Sequence, residues 1–192
     1  MLRYPHRAMG IRFDEAKATQ AAAFFLARRG GRMHYLKLIK LLYLADREAL
    51  LRWGTTITTD RHVSMDHGPV VSRIYGLITE DKPKPAWAEY ISAPLGDYEI
   101  ELRKAAPADR LSRAEEKLMD EIHEKYGHQN RWAIVDYLHT LPEWKDPQGS
   151  SIPISIRDIL RAGGEDEEEI RAVLKELHAI AAAEDSLARV YA

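Results

Sequence analysis

Apolar side chains recur at helical spacing along most of the chain. Ala18, Ala21, Ala22 and Phe25 fall on one face, with Asp14 as a candidate N-cap and Gly30-Gly31 as a stop after Arg28. From about Tyr35 to Trp53 the pattern is apolar around most of the circumference, which predicts a helix at the centre of a bundle. Between Thr56 and Met65 the pattern alternates, through Ile57, Thr59, Val63 and Met65, and predicts a short strand. Gly68-Pro69 is expected to end it, with Pro69 in the first turn of a helix that carries Val70, Ile74, Leu77 and Ile78 on one face.

Asp81 to Pro94 is proline-rich and reads as irregular, with Trp87 and Tyr90 as its anchors to the core. Tyr98 to Leu102 alternates apolar with acidic residues, as a half-exposed edge strand does, and is a candidate partner for the Ile57 to Met65 segment. Ser112 with Glu115 forms a capping box that opens a helix through Leu118, Ile122 and Tyr126. Asn130 caps a helix that stops at Leu141-Pro142, and Ser155 with Asp158 opens another that ends at Gly163-Gly164. The acidic run from Glu165 to Glu169 starts a last helix ending near Asp185, where acids in the first turn oppose the helix dipole favourably. The expected fold is mainly α (α+β), about six to seven helices with a small two- to three-stranded antiparallel β element. It is read as one domain over 1–192, with 1–12 and 186–192 as candidate mobile ends.

Composition narrows the class. The 192 residues include no cysteine, so neither disulfides nor thiolate chemistry is available, and a reducing compartment such as the cytoplasm is the expectation. The N-terminus lacks the apolar run of a signal peptide, and the longest apolar stretches fall short of the ~20 residues that cross a membrane. Net charge is −2, yet Met1 to Trp53 carries eleven basic against four acidic residues, and Glu165 to Ala192 eight acidic against three basic. That asymmetry marks either a basic face for an acidic partner or the solvated sides of helices.

Candidate chemistry is sparse. There is no phosphate loop, dinucleotide fingerprint, nucleophile elbow or HExxH pair, so no catalytic residues are assigned and no cofactor is expected. Asp60, His62 and Asp66 would share one strand face and are weak candidate metal ligands, with His67 beside them. His139 is either a recognition residue or a ring packed on Trp144 with a nitrogen bonded to a carbonyl at the helix end. Lys37, Lys40 and Arg47 lie on one helical face, as contacts for an acidic partner or phosphates or as a solvated stripe. Leu187 to Ala192 is an apolar-basic tail, frayed or available to a partner or protease.

Three groups of residues carry a family resemblance. The first is Lys37-Leu38-Ile39-Lys40-Leu41-Leu42-Tyr43, continued by Ala45-Asp46. The second is Asp60 through Met65, then His67-Gly68-Pro69-Val70 and Ile74-Tyr75. The third is Leu111-Ser112, Tyr126-Gly127, Trp132, His139, Pro142 and Trp144 in that order. This ordered set, from about Phe13 to Leu160, resembles the Panacea family of SocA-like antitoxins of bacteria and phages. His67 stands where an aromatic such as tyrosine is expected, and the acidic C-terminal helix lies outside the resemblance.

The resemblance implies a helical domain with a small sheet. It also implies an antitoxin, with no catalysis of its own, that neutralises a protein toxin from an adjacent gene by direct contact. In an adaptor variant it would deliver that toxin to the ClpXP protease. The partner-binding candidates are Lys37, Lys40, Arg47, Trp53, His67, Trp87, Tyr90, His139 and Trp144, and Gly68, Pro69, Ser112 and Glu115 are structural. The alternative is a DNA-binding regulator, on the strength of the basic N-terminal third. No helix-turn-helix with a polar recognition helix supports it, so nucleic acid is not the expected partner. A metal-dependent enzyme using Asp60, His62 or His67 is the third reading.

Overall fold

The computed structural model describes residues 11–80 and 85–190. Its elements run α1 (Glu15–Arg28), β1 (Arg32–His34), α2 (Tyr35–Trp53), β2 (His62–Met65), β3 (Gly68–Val71), α3 (Ser72–Thr79), α4 (Pro85–Tyr90), β4 (Glu99–Glu101), α5 (Arg113–Tyr126), α6 (Arg131–His139), β5 (Ile152–Ile154), α7 (Ile156–Gly163) and α8 (Glu167–Val190). The fold is mainly α with two small antiparallel sheets, one ordered β1-β4 and the other β3-β2-β5. No helix among the described residues is long and apolar enough to cross a membrane.

α2 is the axis around which the rest is arranged. Its residues from Lys37 to Asp46 are all buried, and α1, α3, α5, α6, α7, β1 and β3 pack against it. Leu38, Ile39, Leu41 and Leu42 are wholly inaccessible, each contributing roughly 1.5–3 kcal/mol by leaving water. The helix is stopped at both ends by local chemistry. His34 Nδ1 accepts from Leu36 N at its start, and Gly54, in the left-handed conformation at φ 71°, donates its N–H to Leu50 O at its end.

The local capping signals hold. Asp14 caps α1, Ser112 and Glu115 form the reciprocal box of α5, Asn130 caps α6, and Ser155 with Asp158 boxes α7. The strands depart from expectation. Only His62–Met65 of the Thr56 to Met65 segment is extended, because the Ile57 and Thr58 amides are drawn inward to the Asp46 carboxylate. Glu99–Glu101 pairs with Arg32–His34, not with the Ile57 to Met65 segment. The three-residue strands β1 and β5 are too short to show a period in the sequence.

Gly68-Pro69 does not end the strand and start a helix. Both residues lie in β3, which forms a hairpin with β2 across the Asp66-His67 turn, and α3 begins only at Ser72. Pro69 is tolerated because β3 is an edge strand. Gly68 sits at φ 85°, beyond the reach of most side chains, and a Cβ there would stand 3.4 Å from Leu138 Cβ and 3.5 Å from Lys40 Nζ. Two further segments differ. Pro85–Tyr90 is a helix inside the stretch expected to be irregular, and α8 continues to Val190 instead of ending near Asp185. The expectation of mobile ends falls largely on residues 1–10 and 191–192, outside the described residues.

Gly68→Ala should lower stability by about 1–2 kcal/mol in urea unfolding, through left-handed strain at the hairpin. A value near zero would mean that the hairpin relaxes without cost.

Candidate functional site

The polar side chains of α2 point inward. Lys37 Nζ donates to Gly127 O at 2.6 Å and Gln129 O at 2.7 Å, closing the C-terminal end of α5, where a cation also meets the negative pole of the helix. Lys40, with no exposed surface, donates to Pro69 O at 2.7 Å and so ties β3 to α2. Burial pushes its ammonium pKa down to about 7. One helical turn on, Tyr43 Oη and Arg47 Nε both donate to Glu143 Oε1, at 2.9 and 2.6 Å. Burial opposes the Arg47 charge, but the bond to Glu143 outweighs it and the guanidinium pKa is raised. The Tyr43 hydroxyl is pushed well above its ordinary range by burial, with the Glu143 carboxylate adding to the effect.

Asp46 serves a fourth segment. Its carboxylate accepts from Ile57 N, Thr58 N and Thr58 Oγ1, and lies 3.1 Å from His62 Nε2. A buried carboxylate is tolerable only when its lone pairs are met in this way. Asp60 repeats the device one step later, accepting from Arg61 N, Arg73 N and Ile74 N and so capping α3. Burial raises the Asp60 pKa, and the three backbone bonds work against that rise.

The sequence candidates therefore separate. Asp60, His62 and Asp66 do not share a site: Asp60 holds α3, His62 faces Asp46, and Asp66, in the hairpin turn, accepts from Gly149 N of the loop before β5. Among the described residues no group of three His, Asp or Glu side chains is placed to hold a metal ion. Lys37, Lys40 and Arg47 are neither a solvated stripe nor surface contacts. Two are buried, and the third is ion-paired to a carboxylate with no exposed surface. Trp87 is 1% exposed and belongs to the core, so it leaves the set of partner contacts, while Tyr90 is half-buried under Lys104.

What these bonds position is an aromatic patch beside the hairpin tip. His67 meets Trp132 edge-on at 5.3 Å, and Trp132 is 44% exposed. His139 stacks on Trp144 at 4.1 Å, as its packing reading requires, but its Nε2 finds no hydrogen-bond partner among the described residues. Trp144 Nε1 donates to Met65 O, joining the turn after α6 to β2. Trp53 is exposed at the far end of α2, apart from this group. Sequence reading passed over Glu143 and Asp46 as functional positions. For Asp46 the available signal was a carboxylate inside an apolar helical stretch, which must have buried partners; Glu143, in the turn after α6, carried no such signal.

A family model for antitoxin SocA-like proteins, the Panacea domain, matches residues 38–145. The chain belongs to this family. The matched span opens within α2 and closes just after Trp144, so both members of the Lys40–Pro69, Asp46–His62 and Arg47–Glu143 contacts fall inside the Panacea domain. α1, α7 and α8 lie outside it. No curated protein and no solved structure matches the chain.

Two outcomes follow for the buried polar layer. Glu143→Ala leaves Arg47 and the Tyr43 hydroxyl without their acceptor and should cost about 3–5 kcal/mol in chemical denaturation. For Lys40 the unfolded chain holds its proton over a pH range in which the folded protein has released it. Its contribution to stability therefore rises with pH from about 7 toward the ordinary lysine range, with a limiting slope near 1.4 kcal/mol per pH unit. The stability difference between wild type and Lys40→Met should follow that curve; a difference independent of pH would show that Lys40 stays charged in its site.

Proposed function

We propose that this Panacea domain is an antitoxin that neutralises a protein toxin by direct contact and has no catalysis of its own. Membership of an antitoxin family over residues 38–145 is the observation that carries this reading. The disposition of polar groups supports it. Lys40, Tyr43, Asp46 and Arg47, the side chains with most chemical potential, are committed to bonds that hold the fold. A surface cleft lined by Phe13, Arg61, Ser72, Arg73, Gly76, Leu77 and Glu80 contains none of His62, His67 or Asp46.

The charge distribution favours a protein partner over DNA. The basic N-terminal third is extensively paired within the molecule: Arg28 with Asp120, Arg32 with Glu99 and Glu101, Arg47 with Glu143, and Arg52 with Glu48 and Glu121. Those guanidiniums are therefore poorly placed to neutralise a row of phosphates. The acidic start of α8 is partly used in the same way, with Glu167 against Arg157 and Arg161.

An adaptor variant, in which the antitoxin hands its toxin to the ClpXP protease, requires a second contact surface. The exposed Leu187 and Val190 near the end of α8 favour that end as the place for it.

The test is co-purification of the tagged protein with the product of its adjacent gene, with growth scored when that neighbour is expressed alone and together with it. A stable complex and restored growth are expected. If the neighbour is harmless, or is toxic but neither bound nor relieved, the antitoxin reading fails. Rescue that disappears in cells lacking ClpXP would select delivery over blocking.

A further inference from the structure

Aromatic side chains also gather around the start of α2. His34 and Tyr35 stand there with ring centroids 5.5 Å apart, and Tyr98 reaches across from the turn before β4 to within 5.8 Å of His34 and 5.9 Å of Tyr35. Tyr75 of α3 extends the group, 6.3 Å from Tyr35. Tyr98 is 61% exposed and sits at φ 59°, a left-handed conformation that costs a tyrosine roughly 1–2 kcal/mol. Its backbone explains the conformation but not the side chain. Tyr98 N donates to Leu95 O and Tyr98 O accepts from Tyr35 N, both at 2.9 Å, so main-chain atoms alone perform the turn and the cap. Glycine or asparagine would do this with less strain. A large ring is held out to solvent where the fold asks only for a flexible backbone.

Arg131 links this group to the hairpin patch. It opens α6, it adds to burial in disfavouring protonation of the His34 imidazole, burial being the larger cause, and its guanidinium lies 5.4 Å from the Trp132 ring. Its Nε is buried with no hydrogen-bond partner, and the guanidinium forms no ion pair among the described residues. Many other arginines of the molecule, including Arg28, Arg32, Arg47 and Arg52, face carboxylates. Tyrosine, tryptophan and arginine are also the side chains enriched at the centres of protein interfaces, since each joins a large contact area to a polar end.

We propose that this face, centred on Tyr98, Arg131 and Trp132, is where the toxin docks, and that the docking segment brings a carboxylate to Arg131 and an apolar side chain to the neighbouring rings. The inference rests on the antitoxin reading and adds to it the location of the contact and the chemistry of the partner. An unpaired guanidinium with a planar fork of donors matches a partner's carboxylate, and the adjoining Trp132 ring offers apolar area to the same segment. The exposed Ile180, Leu187 and Val190 on α8 also have a cation beside them, Arg189, but none of their side chains makes a ring contact of the kind that joins Arg131, Trp132 and His67.

The experiment uses the full chain and the adjacent-gene product as the probe. Trp132→Ala, Tyr98→Asn, chosen because asparagine accepts the left-handed backbone, and Arg131→Glu are compared with wild type. Trp53→Ala and Leu187→Ala serve as controls on other faces. Thermal unfolding establishes that each variant is folded, and Arg131→Gln replaces Arg131→Glu if the latter is not. Each face variant is expected to weaken the measured Kd at least tenfold, and the controls less than twofold. Raising salt should weaken the wild-type complex more than that of the Arg131 variant. A wild-type complex that all three face variants form with unchanged affinity overturns the docking face and leaves the antitoxin reading intact. Absence of any wild-type complex removes both.

Discussion

Charged and hydroxyl groups buried along the central helix must each find a partner, and that requirement organises the structure around it. A helix apolar on most sides would pack in many registers with similar energy. Lys37, Lys40, Tyr43, Asp46 and Arg47 remove that freedom, because each has partners at only one place: the α5–α6 connection, the Pro69 carbonyl, Glu143, and the Ile57-Thr58 amides. An unsatisfied group of this kind would cost several kcal/mol, so alternative packings are penalised more heavily than apolar contacts alone could achieve.

The same bonds determine what the surface presents. β3 is an edge strand in a hairpin of two four-residue strands, a unit with little stability of its own. Held by Lys40 from below and by Trp144 through Met65, it carries His67 to Trp132. The α5–α6 connection, held by Lys37, fixes where Arg131 and Trp132 begin α6. Rigid support beneath exposed aromatic residues lowers the entropic cost of binding, since little is left to order when a partner arrives. The family match spans most of this supporting layer, whereas α8 lies outside it.

Much of the helical organisation was legible in the sequence because its signals are local. A capping serine and its glutamate are three residues apart, and a helical face repeats within a turn, so Ser112, Asn130 and Ser155 mark their boundaries without reference to the rest of the chain. The strands were less legible. Glu99–Glu101 finds Arg32–His34 across more than sixty residues, and β5 joins β2 from the far side of α6, pairings that no local pattern encodes. The Gly-Pro dipeptide misled for a related reason. It is compatible both with the start of a helix and with an edge strand, and the Lys40–Pro69 bond decides between them.

By itself the sequence determined the class of the protein, the central helix, most helix boundaries and the family, since composition, period and ordered motifs are properties of the chain. Only the tertiary structure decided which polar residues are available for binding. Lys37, Lys40 and Arg47 look like a basic stripe when their helix is drawn alone, yet all three are enclosed or paired, and of the two roles open to Trp87, core anchor and partner contact, burial selects the first. Nothing in the sequence distinguishes Arg131 and Tyr98 from other arginines and tyrosines, yet Tyr98 stays largely exposed and the half-buried Arg131 has an Nε with no hydrogen-bond partner. The difference lies in long-range partners. Whether a charge is structural or open to a partner depends on what the rest of the chain places within hydrogen-bonding distance, and a one-dimensional pattern carries no such distances.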